Sequence, residues 1–230
     1  MIERFSIGTT SKALAKRFGV EEPSSFQARY NVAPSQLIPI ISMGDMGFSH
    51  FYWGQHPDWS KNKALAEKII NVRSEQIVER PALKKALMTQ RCIVPADGFY
   101  VWKRHGKKSL IPWRFSLRDK SIFSIAALWE EYDDEEGDIH TFTILTRSAN
   151  NFVSSVSERM PMILNPETEK IWLDKNSSEN NLLDILNSES IEVLDGYAVS
   201  NQLNSISFDR PSLVLPVPPA DQFGNLTLFD

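Results

Sequence analysis

The chain has 230 residues, of which 42% are hydrophobic, and a formal net charge of -4. This composition excludes a disordered or fibrous protein, and the acidic balance weighs mildly against a nucleic-acid partner. Its one cysteine, Cys92, excludes a disulfide within the chain. Because no apolar run opens the chain or reaches transmembrane length, the sequence predicts a cytoplasmic protein with no membrane partner.

The predicted elements mix short strands with scattered helices. Residues 9–20 are predicted to form a helix because Thr10 and Ser11 can cap its start and Gly19 can end it. Further helices are predicted over residues 74–88, interrupted by Pro81, and over residues 166–173 and 179–186, with strands over residues 37–42, 48–53, 92–94, 99–103, 113–117, 121–128, 141–146 and 191–199. This order lacks the strict alternation of a doubly wound sheet and predicts an α+β fold.

Charge and proline content divide the chain further. Residues 101–120 carry seven bases against one acid, and their centre is predicted to be a hairpin tip that also steers phosphates. Residues 130–138 carry seven acids and no base, and they are predicted to form an exposed hairpin loop. From Pro211 the chain becomes rich in proline, which predicts a single domain over residues 1–210 followed by a stiff, extended tail over residues 211–230.

Seven separated segments carry a family resemblance. They are residues 29–34 (RYNVAP), 53–59 (WGQHPDW), 71–75 (NVRSE), 91–103 (RCIVPADGFYVWK), 126–130 (AALWE), 142–146 (FTILT) and 159–164 (RMPMIL). In this order they resemble the SOS-response-associated peptidase (SRAP) family, whose members sense abasic sites in single-stranded DNA. The resemblance implies an SRAP-like fold, with a mostly antiparallel, barrel-like sheet flanked by short helices.

The resemblance also implies a chemistry from which this sequence departs. In the family, a cysteine amine attacks the abasic aldehyde to give a Schiff base, and the thiol then closes a thiazolidine ring. A glutamate and a histidine move protons, and an asparagine orients the groups. Here Ile2, Val101 and Ser157 stand at the cysteine, glutamate and histidine positions, and only Asn31 is retained. Because isoleucine has no nucleophile and valine cannot transfer a proton, we expect the thiazolidine chemistry to be lost.

Carried over residue by residue, the resemblance predicts one concave DNA-binding face near the N-terminus. In such a face arginines neutralise phosphates and tryptophans stack on bases. The alternatives are that the arginines are ordinary surface or ion-paired residues and that Asn31 is a turn residue. Trp53, Trp59 and Trp102 could all stack on bases, and the alternative is that at least one of them belongs to the core. The histidines lack metal-ligand spacing, so neither a metal nor a cofactor is predicted. The candidate DNA-binding residues are Arg4, Asn31, Pro34, Trp53, Arg73, Trp102 and Arg159.

Three functions remain open at this point. The first is a binding module of the DNA damage response that holds single-stranded or junction DNA without a stable crosslink. The second is a lyase that uses the α-amine of Met1, since such an amine titrates near neutral pH and can form a reversible Schiff base. The third is a protein-interaction scaffold, which the net negative charge favours. The retained Asn31, Arg73 and Arg159 favour the binding module, which is our prediction.

The last residues of the chain resemble a docking peptide. Asn225-Leu226-Thr227-Leu228-Phe229 is similar to the pentapeptide by which bacterial replication and repair proteins bind the sliding clamp, with matches at Leu226, Leu228 and Phe229. An apolar pair at a mobile terminus can fill an apolar pocket. The alternative is that this run folds back onto its own domain. The sequence therefore predicts the sliding clamp as a partner, provided that Leu228 and Phe229 are exposed.

Overall fold

The computed structural model describes residues 2–54, 70–133, 138–189 and 193–226. Within these ranges the α-helices are α1 (Ser11–Phe18), α2 (Pro81–Thr89), α3 (Pro166–Leu173) and α4 (Glu179–Asn187). The strands of the same ranges are β1 (Arg4–Ile7), β2 (Arg29–Val32), β3 (Leu37–Ser42), β4 (Ser49–Trp53), β5 (Asn71–Arg73), β6 (Arg91–Ala96), β7 (Gly98–His105), β8 (Ser109–Leu117), β9 (Phe123–Tyr132), β10 (Ile139–Ser148), β11 (Arg159–Pro161), β12 (Ile163–Leu164) and β13 (Leu194–Ala198).

Five of these strands close into a barrel. In the order β10, β4, β3, β6 and β9 each strand is hydrogen-bonded to the next, and β9 returns to β10. All of these pairs are antiparallel except β4 with β10. Side chains such as Ile40, Val94 and Ile144 are buried in one core cluster of the barrel. The predicted α+β fold, with a mostly antiparallel, barrel-like sheet flanked by short helices, is confirmed.

A second sheet of five strands lies beside the barrel in the order β13, β8, β7, β1 and β2. The Phe5 ring on β1 meets the Trp53 ring of the barrel edge to face, with their centroids 5.0 Å apart. A buried ion pair fixes β1 within this sheet, because Asp97 accepts from both Arg114 at 3.0 Å and the Ser6 hydroxyl at 2.6 Å. Gly98 leaves the space for this contact, since a Cβ there would lie 2.5 Å from the guanidinium of Arg114.

The helices pack against the barrel and are capped as their sequences predict. Thr10 accepts a hydrogen bond from the backbone at the start of α1, and Gly19 ends that helix with a positive φ of 68°. Arg91 on β6 is fully buried, and its guanidinium donates to the terminal carbonyls of two helices. These carbonyls include Leu87 of α2 and Trp172 of α3, so one cation satisfies groups that a helix end leaves unpaired. None of the described helices is long and apolar enough to cross a membrane.

The long elements match the sequence predictions, and the short ones were missed. Helices α1, α3 and α4 and the longer strands lie where they were predicted, and Pro81 begins α2 after a short 3-10 turn at Ser74–Gln76. The sequence analysis did not find β1, β2, β5, β11 or β12, each of four residues or fewer. The acidic run does fall between β9 and β10, but residues 134–137 lie outside the described residues.

The structure corrects the prediction of a stiff, extended tail after residue 210. Residues Pro211–Val214 form a 3-10 turn whose Leu213 side chain is fully buried against Tyr100, Val199 and Leu203. The chain then follows β13, with the amide of Val217 donating to the carbonyl of Ala198 at 3.0 Å. The burial of the Leu213 side chain stabilises this packed conformation of the proline-rich segment. Residues 211–226 therefore belong to the domain.

Candidate nucleic-acid interface

The N-terminal strand borders an open cavity of about 350 Å³. The cavity lies where β1 begins beside β7, since Arg4 pairs with Tyr100 and the same register places Glu3 opposite Val101. Two further walls come from the segment before β11 and from the C-terminal part of the chain. The lining residues are Glu3, Arg4, Val101, Trp102, Leu110, Ser157 and Asn204.

Residue 2 is held at the edge of this cavity by its main chain. The Ile2 side chain is fully buried in the barrel core cluster. Its carbonyl oxygen accepts a hydrogen bond of 2.7 Å from the side-chain amide of Asn71, the first residue of β5. The position of the second residue therefore depends on a hydrogen bond to its main chain and on the packing of its side chain in the core.

Val101 and Ser157 line the same cavity, which Glu3, the neighbour of Ile2, lines as well. Val101 is buried, and the Ser157 hydroxyl donates to the carbonyl of Arg159 at 2.8 Å while it accepts from the amide of Arg159 at 3.3 Å. The hydroxyl thus closes a local turn. Val101 and Ser157, two of the three positions compared with catalytic residues of the SRAP family, thus line one cavity, and the third, Ile2, shares a core cluster with Val101. Met1, the proposed source of an amine, lies outside the described residues.

Three arginines gather where β10 runs between β5 and β11. Arg73 lies opposite Thr146 and is exposed, and Arg159 donates to the Thr146 carbonyl at 2.5 Å. Arg159 also forms a two-pronged ion pair with Glu75, at 2.7 and 2.9 Å. The hydrogen bonds from Arg159 lower the pKa of the Glu75 carboxyl, and the charge of Arg73 acts in the same direction. Arg147 follows Thr146 on β10, and its guanidinium donates to the carbonyls of Ser188 and Glu189 after α4.

Arg4 brings a fourth guanidinium to the wall of the cavity. Its Nη1 donates to the carbonyl of Glu3 at 2.7 Å. Burial lowers the pKa of Arg4, and the charge of Glu3 opposes that effect. The Nε atoms of Arg4 and Arg159 are buried and have no hydrogen-bond partner among the described residues.

The structure corrects the assignment of Asn31 to the DNA-binding face. Asn31 is 0% exposed, and its side-chain amide donates to three carbonyls of the C-terminal segment, those of Leu203, Ser205 and Phe208. Asn204 of this same segment lines the cavity and accepts a 2.9 Å hydrogen bond from the Trp102 indole. Asn31 therefore supports the wall of the cavity from behind.

Other predicted DNA-binding residues separate into two groups. Trp102 lines the cavity as expected, whereas Trp53 is fully buried, and its indole donates to the carbonyl of Ile70 at 2.9 Å. Trp53 therefore belongs to the core, and its assignment to DNA stacking is wrong. Pro34 is half-buried after β2, away from the cavity-lining residues that the structure describes. Trp59 lies outside the described residues.

Asn71 is the site residue that the sequence analysis missed. It stands two residues before Arg73, and side chains two apart on a strand point to the same face. The segment 71–75 was recognised for its arginine, so the same motif already contained the signal. No short-range pattern shows, however, that its amide reaches a carbonyl 69 residues earlier in the chain.

Neither a thiol nor a metal cluster lies in the described part of this site. Cys92 is fully buried in the barrel, and burial raises the pKa of its thiol. A thiol with a raised pKa is a poor nucleophile at neutral pH. Across residues 2–54, 70–133, 138–189 and 193–226, no group of three or more His, Cys, Asp or Glu side chains is placed to hold a metal ion.

Comparison with known proteins identifies the family. The model of the SOS response associated peptidase (SRAP) family matches residues 1–206. The chain belongs to the SRAP family. Two curated relatives are the abasic site processing proteins YoqW and YoaM of Bacillus subtilis. YoqW is 34% identical over 93% of this chain and 99% of its own length, and YoaM is 36% identical over 89% and 93%.

Solved structures share the fold of this SRAP domain. The crystal structure of a protein from Bacteroides thetaiotaomicron superposes with a TM-score of 0.80 at 27% identity, over 93% of this chain and 99% of that one. A more distant relative, the abasic site processing protein YedK of Escherichia coli, is 26% identical over 82% of this chain and 85% of its own length.

The support role of Asn31 gives a first prediction. Asn31→Ala should lower the free energy of unfolding by about 2–3 kcal/mol, because three buried carbonyls lose their partner. It should leave the DNA affinity of the folded protein unchanged. Urea unfolding and a DNA titration measure the two effects. Asn71→Ala is the matched control and should disturb the site, since it releases the carbonyl of residue 2. A loss of affinity in Asn31→Ala at full stability would contradict the support role.

The ion pair between Glu75 and Arg159 gives a prediction about pH. Because the folded-state pKa of Glu75 is lowered, the pair stabilises the protein above the ordinary carboxyl pKa of 4.5 and loses this effect as pH falls through the lowered value. Glu75 is half exposed, so we expect less than about 1 kcal/mol. Unfolding free energies of the wild type and Glu75→Gln should differ at neutral pH and converge in acid. A difference that grows in acid would reverse the sign we assign.

Proposed function

We propose that this SRAP protein binds DNA that contains abasic sites, in single-stranded or junction form, and holds it without forming a thiazolidine crosslink. The observation that carries the proposal is the cavity itself. Arg4 lines it, and Arg159 follows the lining residue Ser157 by two residues. Arg73 lies opposite Thr146, to which Arg159 donates, so three cations are available for phosphate binding. The resemblance to the family assigns Ile2 and Val101 to the positions of the nucleophile and of a proton-transfer group, and neither side chain can act in that role. The names of the Bacillus relatives, abasic site processing proteins, support the choice of substrate.

The geometry supports DNA holding for a second reason. Arg4 lines the cavity, and Arg159 lies two residues after Ser157, which lines it as well, so a strand that enters the cavity meets positive charge there. Trp102 provides an aromatic ring in the same wall, and such rings stack on bases of any sequence. The protein would therefore recognise the sugar-phosphate backbone of the DNA and the missing base, and not a base sequence.

We expect no thiazolidine-type crosslink with abasic single-stranded DNA. The chain has a single thiol, that of Cys92, which is buried in the barrel. The measurement is a denaturing gel run without a reductant. Ile2→Cys alone should not restore full crosslinking, because Val101 and Ser157 still lack the groups that move protons. A stable crosslinked band from the wild type would refute the proposal that this chemistry is lost.

We expect salt-sensitive binding to single-stranded DNA. Each cation that neutralises a phosphate of a single strand contributes about 0.7 to the slope of log affinity against log salt, so Arg73→Ala should lower both the affinity and this slope. Arg118→Ala is the matched control, because Arg118 lies at the other end of β8 and pairs with Asp195. If the wild type does not bind at low salt, or if both variants lose affinity equally, the proposed site is wrong.

The sliding clamp stays a proposed partner. Leu226 is 59% exposed, which agrees with a docking role, but Leu228 and Phe229 lie outside the described residues. The double variant Leu228→Ala/Phe229→Ala should lose the clamp in a pull-down that the wild type passes. This variant keeps Asn225, whose hydrogen bonds with Asp221 hold the preceding turn. Equal recovery of the clamp with both proteins would remove the hypothesis.

A further inference from the structure

The basic run of residues 101–120 separates into three parts in the structure. Arg114 is buried and paired with Asp97, so it serves the fold. Arg118 and Lys120 both pair with Asp195 at the far end of the sheet. The remaining bases lie at the tip of the hairpin between β7 and β8, and they are Lys103, Arg104, Lys107 and Lys108.

The hairpin tip continues one wall of the cavity. Trp102 and Leu110 line the cavity and belong to the two strands of this hairpin. Arg104 pairs with Leu110 and lies two residues after Trp102, so it shares their face of the sheet. Lys107 and Lys108 are exposed at the turn beyond it. Within the described parts of the chain, no ion pair involves Arg104, Lys107 or Lys108.

The C-terminal segment braces this tip. The side-chain amide of Gln222 accepts from the backbone amide of Leu110 and donates to the carbonyl of Lys108, both at 2.6 Å. Asp221 accepts from the Ser109 hydroxyl at 2.9 Å and caps its own turn through the backbone amide of Asn225. These bonds hold the turn of the hairpin in place. The turn therefore loses less conformational entropy when a ligand binds.

We propose that the braced tip is a second phosphate-binding surface, which holds the DNA that flanks the cavity. The inference rests on the proposed function, since it extends the path of the same strand. A strand rises about 3.3 Å per residue, so the tip lies roughly 17 Å beyond Val101. This distance corresponds to about five phosphates of a stacked strand. The exposed cations of the fixed hairpin tip can each neutralise a phosphate of the strand. Arg118 and Lys120, at the other end of β8, already pair with Asp195.

The test compares charge removal at the two ends of the same sheet. Lys107→Ala/Lys108→Ala removes two charges at the tip, and Arg118→Ala/Lys120→Ala removes two at the far end. Each variant is titrated with abasic single strands of about 4 and about 16 nucleotides, which span the range of single-strand site sizes. The tip variant should reduce the salt slope for the long strand by about 1.4 and leave the short strand unchanged. The far-end variant should change neither slope.

A third variant separates the brace from the charge. Gln222→Ala removes no charge, so it should weaken binding of the long strand with an unchanged salt slope. An unchanged affinity would overturn the bracing role. Equal slopes for the tip variant and the wild type on the long strand would overturn the second surface, while the proposed cavity function would stand. If the wild type binds neither strand, the proposed function itself fails.

Discussion

Hydrogen bonding along both edges of β10 is the constraint on which the remaining structure depends. One edge pairs with β4 and then β5, and the other pairs with β9 and then β11. The first half of the strand closes the barrel, and the second half places Thr146 between Arg73 and Pro161. A slip of one residue in the register of β10 would turn each of its side chains to the opposite face and would separate Arg73 from Arg159. The closure of the fold and the alignment of Arg73 with Arg159 therefore have the same cause.

The sequence predicted those parts of the fold that carry their own local signal. Helix α1 has a capping threonine and a terminal glycine, and the longer strands have enough residues for a pattern to repeat. Strands β5, β11 and β12 have only two or three residues, so no period can be read from them. They are strands because β9 and β10 offer them open edges. That cause is tertiary, and it has no counterpart in the local sequence.

The candidate site shows the same division. The resemblance grouped Arg4 with Trp102, and both line one cavity, but it did not distinguish a residue that faces a cavity from one that supports it. Asn31 and Trp53 stand in such motifs and are fully buried. Their burial depends on the C-terminal segment and on β1, which are distant in sequence. The tail was misjudged for a related reason, since proline content describes stiffness and does not show where Leu213 packs.

The hydrogen bond from Asn71 to residue 2 has a consequence for how this site can evolve. The bond uses a carbonyl oxygen, which every amino acid provides, so Asn71 does not discriminate between side chains at position 2. The core that surrounds the side chain makes that selection. The hydrogen bond to the main chain is thus kept when the side chain at this position changes. An apolar or weakly polar side chain no larger than that of Ile2, such as cysteine, fits this position with the main chain still held, whereas a larger or charged one disturbs the core. A binding protein and a covalent one can therefore be close neighbours in sequence space.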